Sequence, residues 1–182
     1  MALSKQYEWL VKENGPIMIK QALNLYGTTE IPGAANNATI LSWAQEVGQD
    51  PMYNGVKKFY NADSIPWCGL FMAVVAKRSS KQIVKDPLWA LNWGNFGKHT
   101  PTPMLGDVLV FIRNGGGHVG LYVGEDASCF HVLGGNQSDK VCITRIEKKR
   151  LYTARRPNYI NQPVNVRKIS LSSSGTVSSN EA

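Results

Sequence analysis

The sequence predicts an α+β domain, because helical patterns fill its first half and strand patterns fill its second. Up to about residue 100, apolar side chains recur at the three- and four-residue spacing of a helix, as in Ile19, Ala22 and Leu23. From residue 106 onward, five short apolar or alternating runs are separated by turns rich in Gly, Asn and Asp. Connections this short favour an antiparallel sheet, and helices followed by strands are typical of α+β domains.

Three amphipathic helices are predicted ahead of the strands. Pro16 suits the first turn of the first helix, and Gly27 can end it. Asn37 is a candidate N-cap for the second helix, which stops at Gly48. The third helix begins near Pro66 and continues through an apolar run that ends in two cations.

The strands and the region after them define the expected domain boundary. The predicted strands span residues 107–112, 119–123, 129–133, 141–146 and 151–155. Residues 1–160 are therefore expected to form one domain. Residues 161–182 contain six serines, no aromatic residues and few apolar ones, so we expect a disordered tail.

Composition and charge narrow the classes of protein. The chain has 182 residues, of which 43% are hydrophobic and 18% charged, values that fit one folded domain. No apolar run has the length of a membrane span, and the N-terminus lacks the apolar stretch of a secretory signal. We therefore expect synthesis in the cytoplasm and no transmembrane segment. The net charge of +7 predicts attraction to polyanions, although it also serves solubility.

The three cysteines differ in their surroundings. Cys68, Cys129 and Cys142 are too few and too scattered for a disulfide framework. The sequence contains no Cys-x-x-Cys motif, so a structural metal site is not expected. Cys68 follows Pro66 in the first turn of a helix, where the helix dipole lowers the pKa of a thiol. It is a candidate nucleophile, and an inert buried cysteine is the alternative.

A histidine and an amide side chain are candidates to complete a catalytic site with the cysteine. His118 follows three glycines at the mouth of a strand, where small neighbours leave its ring accessible. A cysteine and a histidine so far apart in sequence would meet through the fold, as in thiol hydrolases. Asn136 is the candidate to orient the imidazole, with His131 and Asp107 as alternatives.

Four sequence blocks in a fixed order resemble a known superfamily. They are Pro66-Trp67-Cys68-Gly69, Pro103 to Phe111, Gly117-His118-Val119-Gly120 and Val132 to Gln137. The set is similar to the CHAP and NlpC-type superfamily of papain-like cysteine peptidoglycan hydrolases. It is closer still to a phage and bacterial subfamily with Trp-Cys, Gly-His-Val-Gly and Gly-Gly-Asn-Gln blocks. The resemblance covers roughly residues 20–157.

The resemblance implies a papain-like fold in which the cysteine helix packs on an antiparallel sheet. It implies Cys68 as the nucleophile, His118 as the general base and Asn136 as the orienting group. The reaction would cleave an amide bond of the peptidoglycan stem peptide, as an amidase or endopeptidase, without metal or cofactor. Trp67, Trp93 and Trp89 are candidates to line the substrate groove, and a place in the core is the alternative for tryptophans.

The same chemistry fits two biological settings. A phage endolysin would reach the cell wall in the periplasm through a holin, whereas an antibacterial amidase toxin would be injected into a rival cell. We expect a monomer that binds peptidoglycan and no nucleic acid, because helix-turn-helix, zinc-finger and aromatic RNA-binding patterns are absent. A different class is also open, namely a non-catalytic polyanion-binding module that uses the basic region 140–156. Cations there also serve to prevent pairing of a sheet edge.

Overall fold

Helices form the first half of the chain, as the sequence predicts. The computed structural model describes residues 2–179 and 181. Within them, the α-helices are α1 Ile17–Leu23, α2 Ala38–Val47, α3 Asn54–Phe59 and α4 Cys68–Arg78, and 3₁₀ turns lie at Lys5–Lys12, Pro51–Tyr53, Ala90–Asn95 and Lys148–Arg150. The Asn37 side chain caps α2 by accepting the N–H of Thr39 at 2.8 Å. None of the helices in the described part of the chain is both long and apolar enough to pass through a bilayer.

The second half of the chain forms one antiparallel sheet. Its strands in the described residues are β1 Lys98–His99, β2 Val108–Arg113, β3 Gly116–Glu125, β4 Cys129–Gly134, β5 Cys142–Glu147 and β6 Leu151–Arg156. Their order across the sheet is β1-β6-β2-β3-β4-β5. The α+β architecture is confirmed, with six strands where the sequence predicts about five. The sequence does not reveal β1, because its two residues are exposed and carry no apolar alternation.

The helix that starts at Cys68 lies at the centre of the core. Nine of the eleven residues of α4 are buried, and the helix packs against α1, α2 and β3. A Cβ on Gly69 would collide with the backbone carbonyls of Pro87 and Leu88, so only glycine fits there. Because such a close-packed interior leaves little freedom, the start of α4 is held in one position relative to β3.

Both faces of the sheet are apolar. One face joins the helical core through side chains that include Val108, Val110, Val119 and Leu121. The opposite face carries a second buried cluster, formed by Leu109, Phe111, Tyr122, Phe130, Val132, Ile146 and Ala154. Since a second buried face has to be covered, another part of the chain must pack upon it.

The C-terminal segment (residues 163–179 and 181) contributes to that cover. Val166 is buried, and Ile169 packs against the second cluster. The backbone of Glu125 donates to the carbonyl of Ile169 and accepts from the N–H of Leu171, both at 2.9 Å. This ordered arrangement replaces the disordered tail expected from the serine-rich composition. The few apolar residues are spaced so that they meet the sheet, and composition alone does not reveal that surface.

Candidate active site

Cys68 lies between the start of α4 and strand β3. The preceding residue, Trp67, is fully buried and donates its indole N–H to Glu30 at 2.5 Å, which fixes the turn before the helix. The backbone N–H groups of Cys68, Gly69 and Val119 face the sulfur. The thiol is therefore in contact with both elements that the resemblance implies.

Burial and hydrogen bonding act in opposite directions on this thiol. Burial raises the pKa of Cys68, and its effect exceeds the lowering caused by Arg113 and by the three N–H groups. The expectation that the helix start lowers this pKa is therefore wrong for the free protein. Because the pKa is raised, the group is a neutral thiol at neutral pH, and a base must remove its proton before or during attack.

His118 is the base that the resemblance implies. It lies on β3, directly before Val119, and is 1% exposed. Burial lowers the pKa of His118 to about 4, so the imidazole is neutral at neutral pH. Its Nε2 lies 3.0 Å from the side-chain oxygen of Gln137. Since an amide oxygen only accepts, Nε2 carries the proton and Nδ1 keeps its lone pair.

Gln137 is held so that its oxygen faces the imidazole. Its side-chain nitrogen donates to the carbonyls of Val132 and Cys142, at 3.2 and 2.6 Å, which fixes the orientation of the amide. A Cβ at Gly134 would lie 2.9 Å from the Gln137 oxygen and 3.3 Å from Nε2 of His118. The glycine before this turn therefore leaves room for the contact. Gln137 is not among the site residues predicted from the sequence, although this residue belongs to the Gly-Gly-Asn-Gln block.

The residues expected to orient the imidazole do not do so. Asn136 has a φ of 55°, and its side-chain oxygen is buried without a hydrogen-bond partner in the described part of the chain. His131 lies 3.0 Å from Asp126. Asp107 accepts from Arg156 at 2.8 Å. The structure thus places Gln137, one position after the expected residue, on the imidazole.

Cys68 and His118 are neighbours through the backbone of β3. The N–H of Val119 faces the sulfur, and this residue follows His118 directly. Among the described residues, no hydrogen bond joins the thiol to the imidazole ring. Catalytic hydrogen bonds in a free enzyme are often long and tighten only when substrate binds.

A groove with a volume of about 290 Å³ leads to the thiol. Its lining includes Pro66, Cys68, Trp89, Arg113, Gly115 and Gly116. Trp89 is 72% exposed and offers an aromatic face to a ligand. Trp67 and Trp93, the other two expected lining residues, are both fully buried and belong to the core. The alternative interpretation of these two tryptophans is the one that the structure bears out.

Within residues 2–179 and 181, no three His, Cys, Asp or Glu side chains are grouped so that they would hold a metal ion.

No protein-family model matches this chain, and no curated protein matches it either.

Proposed function

We propose that this chain is a papain-like thiol hydrolase that cleaves an amide bond of the peptidoglycan stem peptide. One observation carries the proposal: the Cys68 thiol lies at a helix start against Val119 of β3, the residue that directly follows His118, and the ring of His118 is oriented by an amide side chain. A groove opens on the thiol. The four sequence blocks that resemble peptidoglycan hydrolases supply the substrate class.

The reaction starts from a neutral thiol and a neutral imidazole. His118 donates a hydrogen bond from its Nε2–H to Gln137, so Nδ1 is free to accept the thiol proton as the sulfur attacks the amide carbonyl. The N–H groups of Cys68 and Gly69 stabilise the resulting oxyanion. His118 then protonates the leaving amine, and water activated by the same ring releases the acyl group.

The basic region 140–156 gives less support to the polyanion-binding alternative. Five of its seven cations have carboxylate partners in the described part of the chain. The pairs are Arg145–Asp126, Lys148–Glu125, Lys149–Glu147, Arg150–Glu181 and Arg156–Asp107. Cations already paired within the fold attract an external polyanion less strongly, because their charge is compensated locally.

The proposed substrate lies in the bacterial cell wall, so we propose that the chain acts there, in the periplasm. We further propose that it is a monomeric phage endolysin released by a holin.

Clearing of a peptidoglycan suspension by the purified chain tests the proposal. Cys68→Ala should abolish clearing, whereas Cys129→Ala should clear at close to the parent rate, because that buried cysteine lies on β4 away from the groove. Mass spectrometry of the released fragments identifies the bond and separates amidase from endopeptidase. Clearing by Cys68→Ala at the parent rate would exclude the thiol mechanism.

A further inference from the structure

The last residue described, Glu181, is buried beside the candidate site. Its side chain has no exposed surface, and its carboxylate accepts two hydrogen bonds from Arg150, at 2.8 and 2.7 Å. Its backbone oxygen accepts the N–H of Ser138 at 3.3 Å. That residue directly follows Gln137, the partner of His118. The end of the chain therefore contacts the turn that orients the imidazole.

Arg150 also bonds to strand β2, which pairs with the strand that carries His118. Its Nε donates to the carbonyl of Ile112 at 3.3 Å. Ile112 lies opposite Gly117 in the pairing of β2 with β3, one position before His118. The negative charge of Glu181 raises the pKa of His118 and the positive charge of Arg150 lowers it. Both charges therefore act on the proposed base.

The geometry of this ion pair is specific for a carboxylate. A guanidinium fork that makes two parallel hydrogen bonds matches the two oxygens of a carboxylate, which a single ammonium does not. A carboxylate loses its hydration when it is buried, and a preformed partner compensates for that loss. The position beside His118 is therefore suited to receive a carboxylate, from this chain or from another molecule.

The same position is where the proposed substrate brings negative charge. Stem peptides carry free carboxylates close to their amide bonds. His118 is almost completely buried in the folded chain. A substrate carboxylate that binds Arg150 would have to displace the Glu181 carboxylate from it.

We propose that Arg150 forms a carboxylate-binding subsite of the active site and that Glu181 occupies it in the free protein in place of a substrate carboxylate. The C-terminal segment is then an intramolecular competitor of an acidic substrate. The identity of that substrate rests on the proposed function, whereas the subsite itself can be tested by binding alone.

Binding to the full-length Cys68→Ala chain, which cannot turn over substrate, provides the test. Isothermal titration would use the stem tripeptide L-Ala-γ-D-Glu-meso-diaminopimelate and the same peptide with its carboxylates amidated. Adding Glu181→Gln should tighten binding of the acidic peptide about tenfold, which corresponds to about 1.4 kcal/mol. The matched control is Glu13→Gln, which removes another glutamate that pairs with an arginine, Arg167 of the C-terminal segment.

The outcomes separate the subsite from the hydrolase. A tenfold gain with Glu181→Gln, no gain with Glu13→Gln and loss of the gain on adding Arg150→Gln would support the subsite. Equal effects of the two glutamate variants, or an equal gain for the amidated peptide, would overturn it. Clearing of peptidoglycan by the parent chain judges the hydrolase independently of these values.

A second measurement needs no substitution at Glu181 and so avoids a folding defect. Glutarate at high concentration should displace the segment from Arg150 and increase its cleavage by a protease, as read by mass spectrometry. Glutaramide, which is uncharged, should not. Equal cleavage with the two compounds would also overturn the proposal.

Discussion

Two buried histidines lie on neighbouring strands of the sheet, and they differ in the partners of their rings. His118 on β3 uses one ring nitrogen to contact the neutral Gln137. His131 on β4 uses both, with Nδ1 2.6 Å from the hydroxyl of Tyr7 and Nε2 3.0 Å from the carboxylate of Asp126. Asp126 in turn accepts from a guanidinium, so His131 belongs to a closed ionic network.

A buried histidine can contribute either to stability or to chemistry, depending on the partners of its ring. The network of His131 ties the 3₁₀ turn Lys5–Lys12 to the sheet, and each of its polar groups is satisfied. The imidazole of His118 is oriented by a neutral amide, and no carboxylate in the described part of the chain makes a hydrogen bond to it. One ring nitrogen is therefore left to exchange a proton, which is what a general base needs.

The largest expected effect separates the two histidines by activity. His118→Ala should lower kcat/KM for peptidoglycan about 10³- to 10⁴-fold, because it removes the proposed base. Clearing rates per folded molecule, compared with those of His131→Ala, measure the effect. A His118→Ala chain with more than a tenth of the parent activity would show that His118 is not the general base.

The next effect separates them by stability. His131→Ala should lower the free energy of unfolding by about 3 kcal/mol, because it leaves the Tyr7 hydroxyl without its buried partner, removes one hydrogen bond to Asp126 and opens a cavity. Urea denaturation followed by tryptophan fluorescence gives the value. Retention of most clearing activity by the folded fraction is expected, and its complete loss would assign His131 to catalysis.

The lowered pKa of His118 predicts that the free energy of unfolding depends on pH. The pKa of His118 is about 4 in the folded chain and 6.5 in its ordinary state, so protons bind the unfolded chain more tightly. The free energy of unfolding should therefore decline as pH falls from about 6.5 to 4, by roughly 2 kcal/mol. His118→Gln should flatten the curve in that window, and an unchanged slope would contradict the assignment.

The smallest effect distinguishes adjacent residues of one turn. Gln137→Ala should lower kcat about tenfold by releasing the imidazole, with a change in the pH profile of kcat/KM. Asn136→Ala should lower it less, because Asn136 has no hydrogen bond to the ring in the described chain. Steady-state rates from pH 5 to 9 test this, and the reverse order would restore Asn136 as the orienting residue.

Periodicity and turn residues were sufficient to predict the α+β fold, because they reflect local conformation. The spacing around Ile19 and Asn37 predicted helices that the structure contains, and the glycine-bounded runs predicted strands. The sequence blocks also placed Cys68 and His118 on the correct elements. These inferences succeeded because each depends on a few neighbouring residues.

The features that the sequence did not predict depend on contacts between distant parts of the chain. The choice of Gln137 over Asn136 follows from a backbone with positive φ and from the carbonyl of Cys142, which no local pattern reveals. The raised pKa of Cys68 follows from burial beneath residues far away in sequence. The cover that Ile169 provides cannot be predicted without knowledge of the surface that it meets.

Two segments far apart in sequence meet on the folded chain, and this affects the order in which it can fold. Gln6 bonds to Ser172 and Ser174, and Glu13 bonds to Asn165 and Arg167. A growing polypeptide cannot form these contacts until residues 165–174 have been synthesised, and contacts so distant in sequence form slowly. During translation the turn Lys5–Lys12 therefore lacks these contacts until after the whole sheet has emerged.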